Sequence, residues 1–153
     1  MNDDERPASI SIQRRIEWSD TDASGHYHNT AAFRMLEWAE TALLEALGIL
    51  DEVYGSLPRV HVSADFRAPL DHRDLVDVRL RVEEVGRSSI SYAVEITRGA
   101  EVCVDVRFIA ALVGPDGRPR AWDEAHRRLL LTAGPQPGER LVSGNVASEG
   151  SSP

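Results

Sequence analysis

The 153-residue sequence contains no lysine, a single cysteine and no apolar run long enough to span a bilayer. Each shortage removes a class of function. One thiol, Cys103, cannot close an intramolecular disulfide or assemble a cysteine zinc site. It sits in "EVCVDVRF", which alternates as a strand does, so a packed thiol is expected there rather than a nucleophile. Without about 18 consecutive apolar residues, no transmembrane helix is expected. The opening "MNDDERPAS" is acidic where a signal peptide needs a basic start and an apolar core, so the cytoplasm is the expected location. Positive charge is scarce too: 17 basic side chains face 25 acidic ones, for a formal charge of -8. That balance excludes general nucleic-acid binding, which needs a basic surface. It leaves room for a local arginine cluster that grips one phosphorylated ligand.

What is present reads as one domain, since this length supports a single real core and is short for two. "ISIQRRIEW" places Ile10, Ile12, Ile16 and Trp18 on one face, with Arg14 interrupting it, and predicts a strand. After a polar junction, "NTAAFRMLEWAETALLEALG" predicts one helix of about 17 residues, stopped by Gly48. Ala32, Met35, Leu36, Ala39, Ala42, Leu43, Ala46 and Leu47 form its apolar stripe, while Arg34, Glu37, Thr41 and Glu45 face away. Alanines on the buried face let a helix lie close against a sheet.

Four alternating segments follow. Val60 to Phe66, Val76 to Val82, Ile90 to Ile96 and Val102 to Phe108 are separated by short turns at Gly86, Gly99 and "GPDGRP". Short links suit antiparallel neighbours. The expected class is α+β: a single domain over residues 9–132, with a long helix against a five-stranded antiparallel sheet. Residues 133–153, rich in Gly, Pro and Ser, are expected to form a flexible tail. No second helix is expected, so sheet edges and part of one face are left for another subunit to cover.

The chemistry concentrates in "WSDTDASGHYHNTAAF", residues 18–33. Asp20, Asp22, His26 and His28 match neither an EF-hand nor a paired-histidine helix pattern, so no metal and no cofactor are expected. Two readings stay open. Either the polar residues cap a turn and the helix, or a carboxylate is set beside the helix N-terminus. The first amides of a helix lack intrahelical acceptors and can hold a developing negative charge. Asp22, folded back by Gly25, could then attack an acyl carbonyl or activate water against it. Asp20 fits better as a local acceptor that holds the loop. His26 and His28 are further candidates, to orient the substrate or the aspartate. No "G-x-S-x-G" serine elbow competes.

"ISIQRRIEWSDTDASGHYHNTAAFRMLEWAE" resembles the opening of the 4-hydroxybenzoyl-CoA thioesterase family, hotdog-fold enzymes that cleave acyl-CoA or acyl-carrier thioesters. The likeness covers the strand, the D-x-D-x-x-G turn and the helix with its internal acid, Glu37. "FRAPLDHRDLVDVRLRVEEVGRSSISY" is similar to the family's central strands, so residues 9–131 are covered. The resemblance implies thioester hydrolysis by Asp22, with backbone amides near Asn29 polarising the carbonyl and His26 and Glu37 as accessory groups. "GHYHN" is also similar to the G-H-x-N-N pattern of acyl-carrier-protein thioesterases, with His28 in place of the first asparagine. Glu40 departs from the arginine that several relatives carry after the helix acid.

The resemblance further implies that "GRSS" lies near a nucleotide site, which makes Arg87 and Ser88 the candidates for binding CoA. Arg59, Arg67, Arg73, Arg118 and Arg120 are other loop-proximal cations. The implied partners are an acyl-CoA or acyl-carrier-protein substrate and further copies of the chain in a homodimer or homotetramer, with neither nucleic acid nor membrane. In the resembled fold the acyl group lies between the helix of one subunit and the sheet of another, where Trp18 and Phe33 would line the slot. Both are otherwise expected in the core. Rival functions on the same fold are a dehydratase or isomerase with a histidine base, an acyl-CoA-binding module without turnover, and a purely structural dimer module.

Overall fold

The computed structural model describes residues 5–27 and 29–142. Strand β1 (Arg6–Arg15) leads through a short 3-10 turn (Trp18–Asp20) to α1 (Ala31–Ala46) and a one-turn helix, α2 (Leu50–Val53). Then come β2 (Arg59–Phe66), β3 (Leu75–Val85), β4 (Ser89–Arg98), β5 (Glu101–Ala111), α3 (Glu124–Thr132) and β6 (Ala133–Gln136). The sheet order is β2-β5-β4-β3-β1-β6. The first five strands pair antiparallel throughout, as the short turns require, and β6 alone joins parallel to β1.

Helix α1 packs on β1 and β3 through the predicted stripe. Ala32, Met35, Leu36, Ala39 and Leu43 are buried, and the four residues expected to face away do so. The helix ends in a Schellman turn: Ile49 N donates to Leu44 O and Gly48 N to Glu45 O, both at 3.0 Å. Gly48 takes φ +75°, a conformation that costs glycine nothing. The sheet presents Ile10, Ile12, Val78, Leu80, Ile90, Val94, Val106 and others to the helix. Tyr92 and Phe108, cross-strand neighbours on β4 and β5, stack with ring centroids 4.6 Å apart. Cys103 is a buried packed thiol, as expected. It sits at a register shift in β5, and its carbonyl accepts the amides of Arg67 and Ala68.

Three expectations need correction. Trp18, placed by periodicity with the buried isoleucines, is 76% exposed and meets His72 edge-on, because β1 ends at Arg15 and the chain turns before reaching it. A second long helix exists: α3 packs on β1 and β3, capped by the Asp123 side chain, which accepts from Ala125 N and His126 N. Its stripe is thin, with only Leu130 fully buried, so periodicity gave little signal.

The third correction concerns the tail. Residues 133–136 belong to the sheet as β6 and 137–142 continue as an ordered strap along β1, while 143–153 lie outside the described residues. Pro135 and Pro137 suit an edge strand, where a missing amide leaves no ladder bond unmade. Gly138 fits because a Cβ there would stand 2.1 Å from Ser11 O. The segment is further fixed by Gln13 N donating to Glu139 O at 2.9 Å, and by Gln13 Oε1 accepting the amides of Leu141 and Val142.

Candidate functional site

The junction folds as a small hairpin. Asp22 N donates to His26 O and Gly25 N to Asp22 O, each at 3.0 Å, with Gly25 at φ +81°. A bridge between Thr21 and Tyr27 closes its base. Asp22 is exposed, and its Oδ1 accepts from Ser24 N at 2.8 Å and from the Ser24 hydroxyl. These bonds aim the carboxylate without burying it.

Asp20 behaves differently. It is buried, with Oδ1 accepting from Arg34 Nη2 at 2.6 Å and Oδ2 from Glu17 N at 2.9 Å. It holds the loop, as expected of a local acceptor.

The hairpin docks on the turn before β3. Tyr27 N donates to Leu70 O at 2.8 Å, and His26 Nδ1 lies 3.0 Å from Asp71 Oδ1. Asp71 therefore orients the imidazole, a role nothing in the sequence assigned to it. Asp74 in turn accepts from Asp71 N and pairs with Arg98 at 2.8 Å. Burial pushes the Asp74 carboxyl up, but those hydrogen bonds outweigh it and leave the group below its ordinary value. Tyr27 is buried under the hairpin against Met35 Sδ, and burial followed by the neighbouring Asp20 charge raises its pKa.

Asp22, Ser24, His26 and Asn29 line one side of a cleft of about 380 Å³, with Phe66, Arg67, Ala68, Pro69, Leu70 and Val104 opposite. An exposed carboxylate, a histidine held by a second carboxylate and Asn29, two residues before α1, thus share one cavity. The set can supply a nucleophile or base together with backbone donors for an oxyanion. His28 lies outside the described residues. Among the described residues, no group of three or more His, Cys, Asp and Glu is placed to hold a metal ion.

The remaining candidates lie elsewhere. Glu37 faces out from the middle of α1 and lines a second cavity of about 540 Å³ with Glu40, Thr41, Leu44, Leu57 and Arg59. Arg87 lines a surface pocket with Trp122 and Arg127, and Ser88 is half-buried, its carbonyl accepting Leu112 N at 2.7 Å. In the sheet register Phe66 pairs with Val104, Arg59 with Ala110, and Ser89 with Ala111. Glu37, Arg87 and Ser88 therefore sit at the opposite end of the sheet from Asp22. At about 3.3 Å per residue, the length of β2 separates the two ends by roughly 20 Å. Phe33 is partly exposed beside the cleft end of α1 and is not a core residue.

Strand β2 forms one sheet edge and is exposed along most of its length, with Val60 at 62%, and Val62 and Phe66 also uncovered. Its alternation was visible in sequence, but neither face is buried within one chain.

Known proteins share this fold. A 1,4-dihydroxy-2-naphthoyl-CoA hydrolase from Synechococcus sp. (strain CC9605) is 28% identical over 138 residues, covering 76% of this chain and 90% of that protein. The crystal structure of a 1,4-dihydroxy-2-naphthoyl-CoA thioesterase from Synechocystis superposes with a TM-score of 0.73 at 19% identity, covering 80% and 95% of the two chains. A thioesterase from Thermus thermophilus, complexed with coenzyme A and Zn, gives 0.71 at 23% identity, covering 78% and 90%. The sequence profile of the thioesterase-like superfamily matches residues 16–130, the span from the end of β1 to α3. The chain belongs to that superfamily and has its hotdog fold.

Proposed function

We propose that the protein hydrolyses an acyl thioester, acyl-CoA in the first instance, to a carboxylic acid and a free thiol. Asp22 either attacks the carbonyl carbon, giving a mixed anhydride that water then opens, or takes the proton from a water that attacks. Amides at the start of α1, around Asn29, hold the oxyanion. The sulfur leaves as thiolate and takes up a proton. His26, steadied by Asp71, positions the carbonyl or the aspartate. The observation that carries this reading is the placement of an exposed, Ser24-oriented Asp22 in the same cleft as Asn29, two residues before α1.

The working unit in this reading is a homodimer joined along β2. Antiparallel pairing of two β2 edges sets the Arg59 end of one copy against the Phe66 end of the other. A second copy then brings its Glu37, Arg87 and Ser88 toward the Asp22 cleft, which accounts for candidates that one chain keeps apart. Arg87 and Ser88 take the nucleotide end of CoA, helped by Arg127, whose Nη1 donates to Gly86 O at 2.7 Å. Among the described residues no helix is long and apolar enough to cross a membrane. A cytoplasmic location goes with the CoA thioester.

A thiol-release screen over aromatic, short-chain and long-chain CoA esters, repeated with carrier-bound substrates, tests this reading. Release with CoA esters supports it. Tight binding without release would replace it with a binding module, and loss of activity on replacing His26 but not Asp22 would replace it with a dehydratase or isomerase.

A further inference from the structure

His26 lines the 380 Å³ cleft, and one of its two ring nitrogens is already committed. Nδ1 lies 3.0 Å from Asp71 Oδ1. A carboxylate oxygen can only accept, so the bond requires the proton on Nδ1. Nε2 of the neutral ring is then an acceptor, and it is the nitrogen left for whatever occupies the cleft. Both side chains are more than half exposed, and a pair that open adds little to stability. Its consequence falls on the ring rather than on the fold.

Asp71 is braced from behind. Its amide donates to Asp74 Oδ2 at 2.9 Å, and its carbonyl accepts the Asp74 amide at 3.1 Å. Arg98 Nη1, at the end of β4, donates to the same Asp74 oxygen at 2.8 Å and to Pro69 O at 3.3 Å. Between the two aspartates Arg73 takes φ +78°, the one non-glycine residue at positive φ among the described residues. Strained backbone of this kind persists where its surroundings over-determine it. Here Arg73 N donates to Ile16 O at 2.7 Å and Ile16 N to Asp74 O at 2.8 Å, which ties the turn to the residue after β1. The hairpin is fastened as well, because His26 O accepts Asp22 N and Leu70 O accepts Tyr27 N.

We propose that Asp71, braced by Asp74 and Arg98, sets His26 in its Nδ1–H tautomer, so that Nε2 is the proton acceptor of the cleft. Asp71 and Arg98 are thus positioning residues that act through the imidazole. The tautomer stands on the geometry alone, while the acceptor role rests on the thioesterase reading. Within that reading the labour divides between the two side chains of the hairpin, since an imidazole takes a proton more readily than a carboxylate. Asp22 attacks the carbonyl carbon and the C–S bond breaks, giving the mixed anhydride and a thiolate. Water then attacks the acyl carbonyl and passes one proton to Nε2. The acyl–oxygen bond breaks, which restores the Asp22 carboxylate and releases the acid. The imidazolium gives its proton to the thiolate and ends as it began.

Long-range proton–nitrogen NMR correlations on the isotope-labelled full chain read the tautomer, with the His26 signals assigned by their loss in His26→Gln. The parent protein is expected to show the Nδ1–H pattern. Asp71→Asn keeps the size but offers an N–H to Nδ1, so the ring should move to Nε2–H with an unchanged melting curve. In that variant kcat for thiol release should fall by about 10-fold or more at unchanged KM, part of what a positioned acid–base group supplies. Arg98→Met should move both readouts in the same direction, and Arg98→Lys, which keeps a donor for Asp74, should restore them. An Nε2–H ring in the parent protein, or an Nδ1–H ring that survives Asp71→Asn, overturns the tautomer assignment. The expected tautomers with unaltered kcat in Asp71→Asn overturn the acceptor role, and parent values in Arg98→Met remove Arg98 from the brace. If no thioester is hydrolysed, the thioesterase reading fails by itself and the ring spectrum still decides what Asp71 does.

Discussion

Arg34 Nη2 reaches Asp20 Oδ1 across 2.6 Å, and the other oxygen of Asp20 takes the Glu17 amide. Both oxygens of that buried carboxylate are therefore committed, one to α1 and one to the loop. Of the two aspartates in the turn, only Asp22 lines the cleft.

The two aspartates should consequently fail in different ways. Asp22→Asn keeps the shape and the Ser24 contact but removes the charge, so thiol release should fall by about 100-fold or more with an unchanged melting curve. Asp20→Asn should instead cost about 1.5–3 kcal/mol of stability, the scale of a hydrogen bond to a charged group. Thiol-release rates and urea denaturation on both variants check this. A well-folded Asp22→Asn protein with near-normal turnover would reject the catalytic assignment.

Sedimentation at low micromolar concentration should find a dimer and no major monomer. Val62→Lys puts a charge on the open β2 edge, a natural device against edge pairing. It should shift the protein toward monomer and lower thiol release in parallel. A monomer with full turnover would remove the second copy from the active unit.

Gly138→Val should cost about 1–3 kcal/mol, the scale of overpacking, because its Cβ would meet Ser11 O. Hydrogen exchange at Gln13, whose amide donates to Glu139 O, should speed up with it. Deletion from Gly134 onward should lower the melting temperature further. Unaltered stability after that deletion would mean the strap does not contribute to the fold.

Burial raises the pKa of Glu40 against the opposing pull of Arg59. The folded state thus holds this proton more tightly than the unfolded chain does. Glu40 contributes stability below the ordinary glutamate value of 4.5, and that contribution is lost as pH rises through the higher folded value. Glu40→Gln cannot lose the proton, so it should gain on the parent protein between about pH 4 and pH 8. Urea midpoints at the two pH values give the sign. A gap that stays constant with pH would show that Glu40 does not titrate differently in the fold.

The fold was largely legible because its signals are local. Helix α1 carries a broad stripe and a glycine stop, and β1, β3, β4 and β5 alternate against it. Helix α3 was not legible, since a single fully buried leucine leaves no periodicity to detect. Strand β6 was misread because Gly134, Pro135, Pro137 and Gly138 mean disorder by composition and edge pairing by geometry. Asp22, His26 and Asn29 are neighbours in sequence, so their common cleft was visible in advance. Asp71 lies 45 residues from His26, and Glu40 turns inward against a strand that begins 19 residues later. Contacts of that kind arise from tertiary packing, which no local pattern encodes.

The pairing of β6 with β1 also sets an order on synthesis. Strand β1, ending at Arg15, meets its β3 partner only when the chain has grown to Leu75 and beyond. At about 5–20 residues per second, that gap of roughly 60 residues lasts on the order of 3–12 s. The other side of β1 stays bare until Ala133 and the residues after it emerge, so a nascent chain carries an unsatisfied strand until then. Holding that strand out of reach of neighbouring chains falls to whatever attends the polypeptide as it is made, and a transcript cut short before Ala133 yields a protein open at both edges of its sheet.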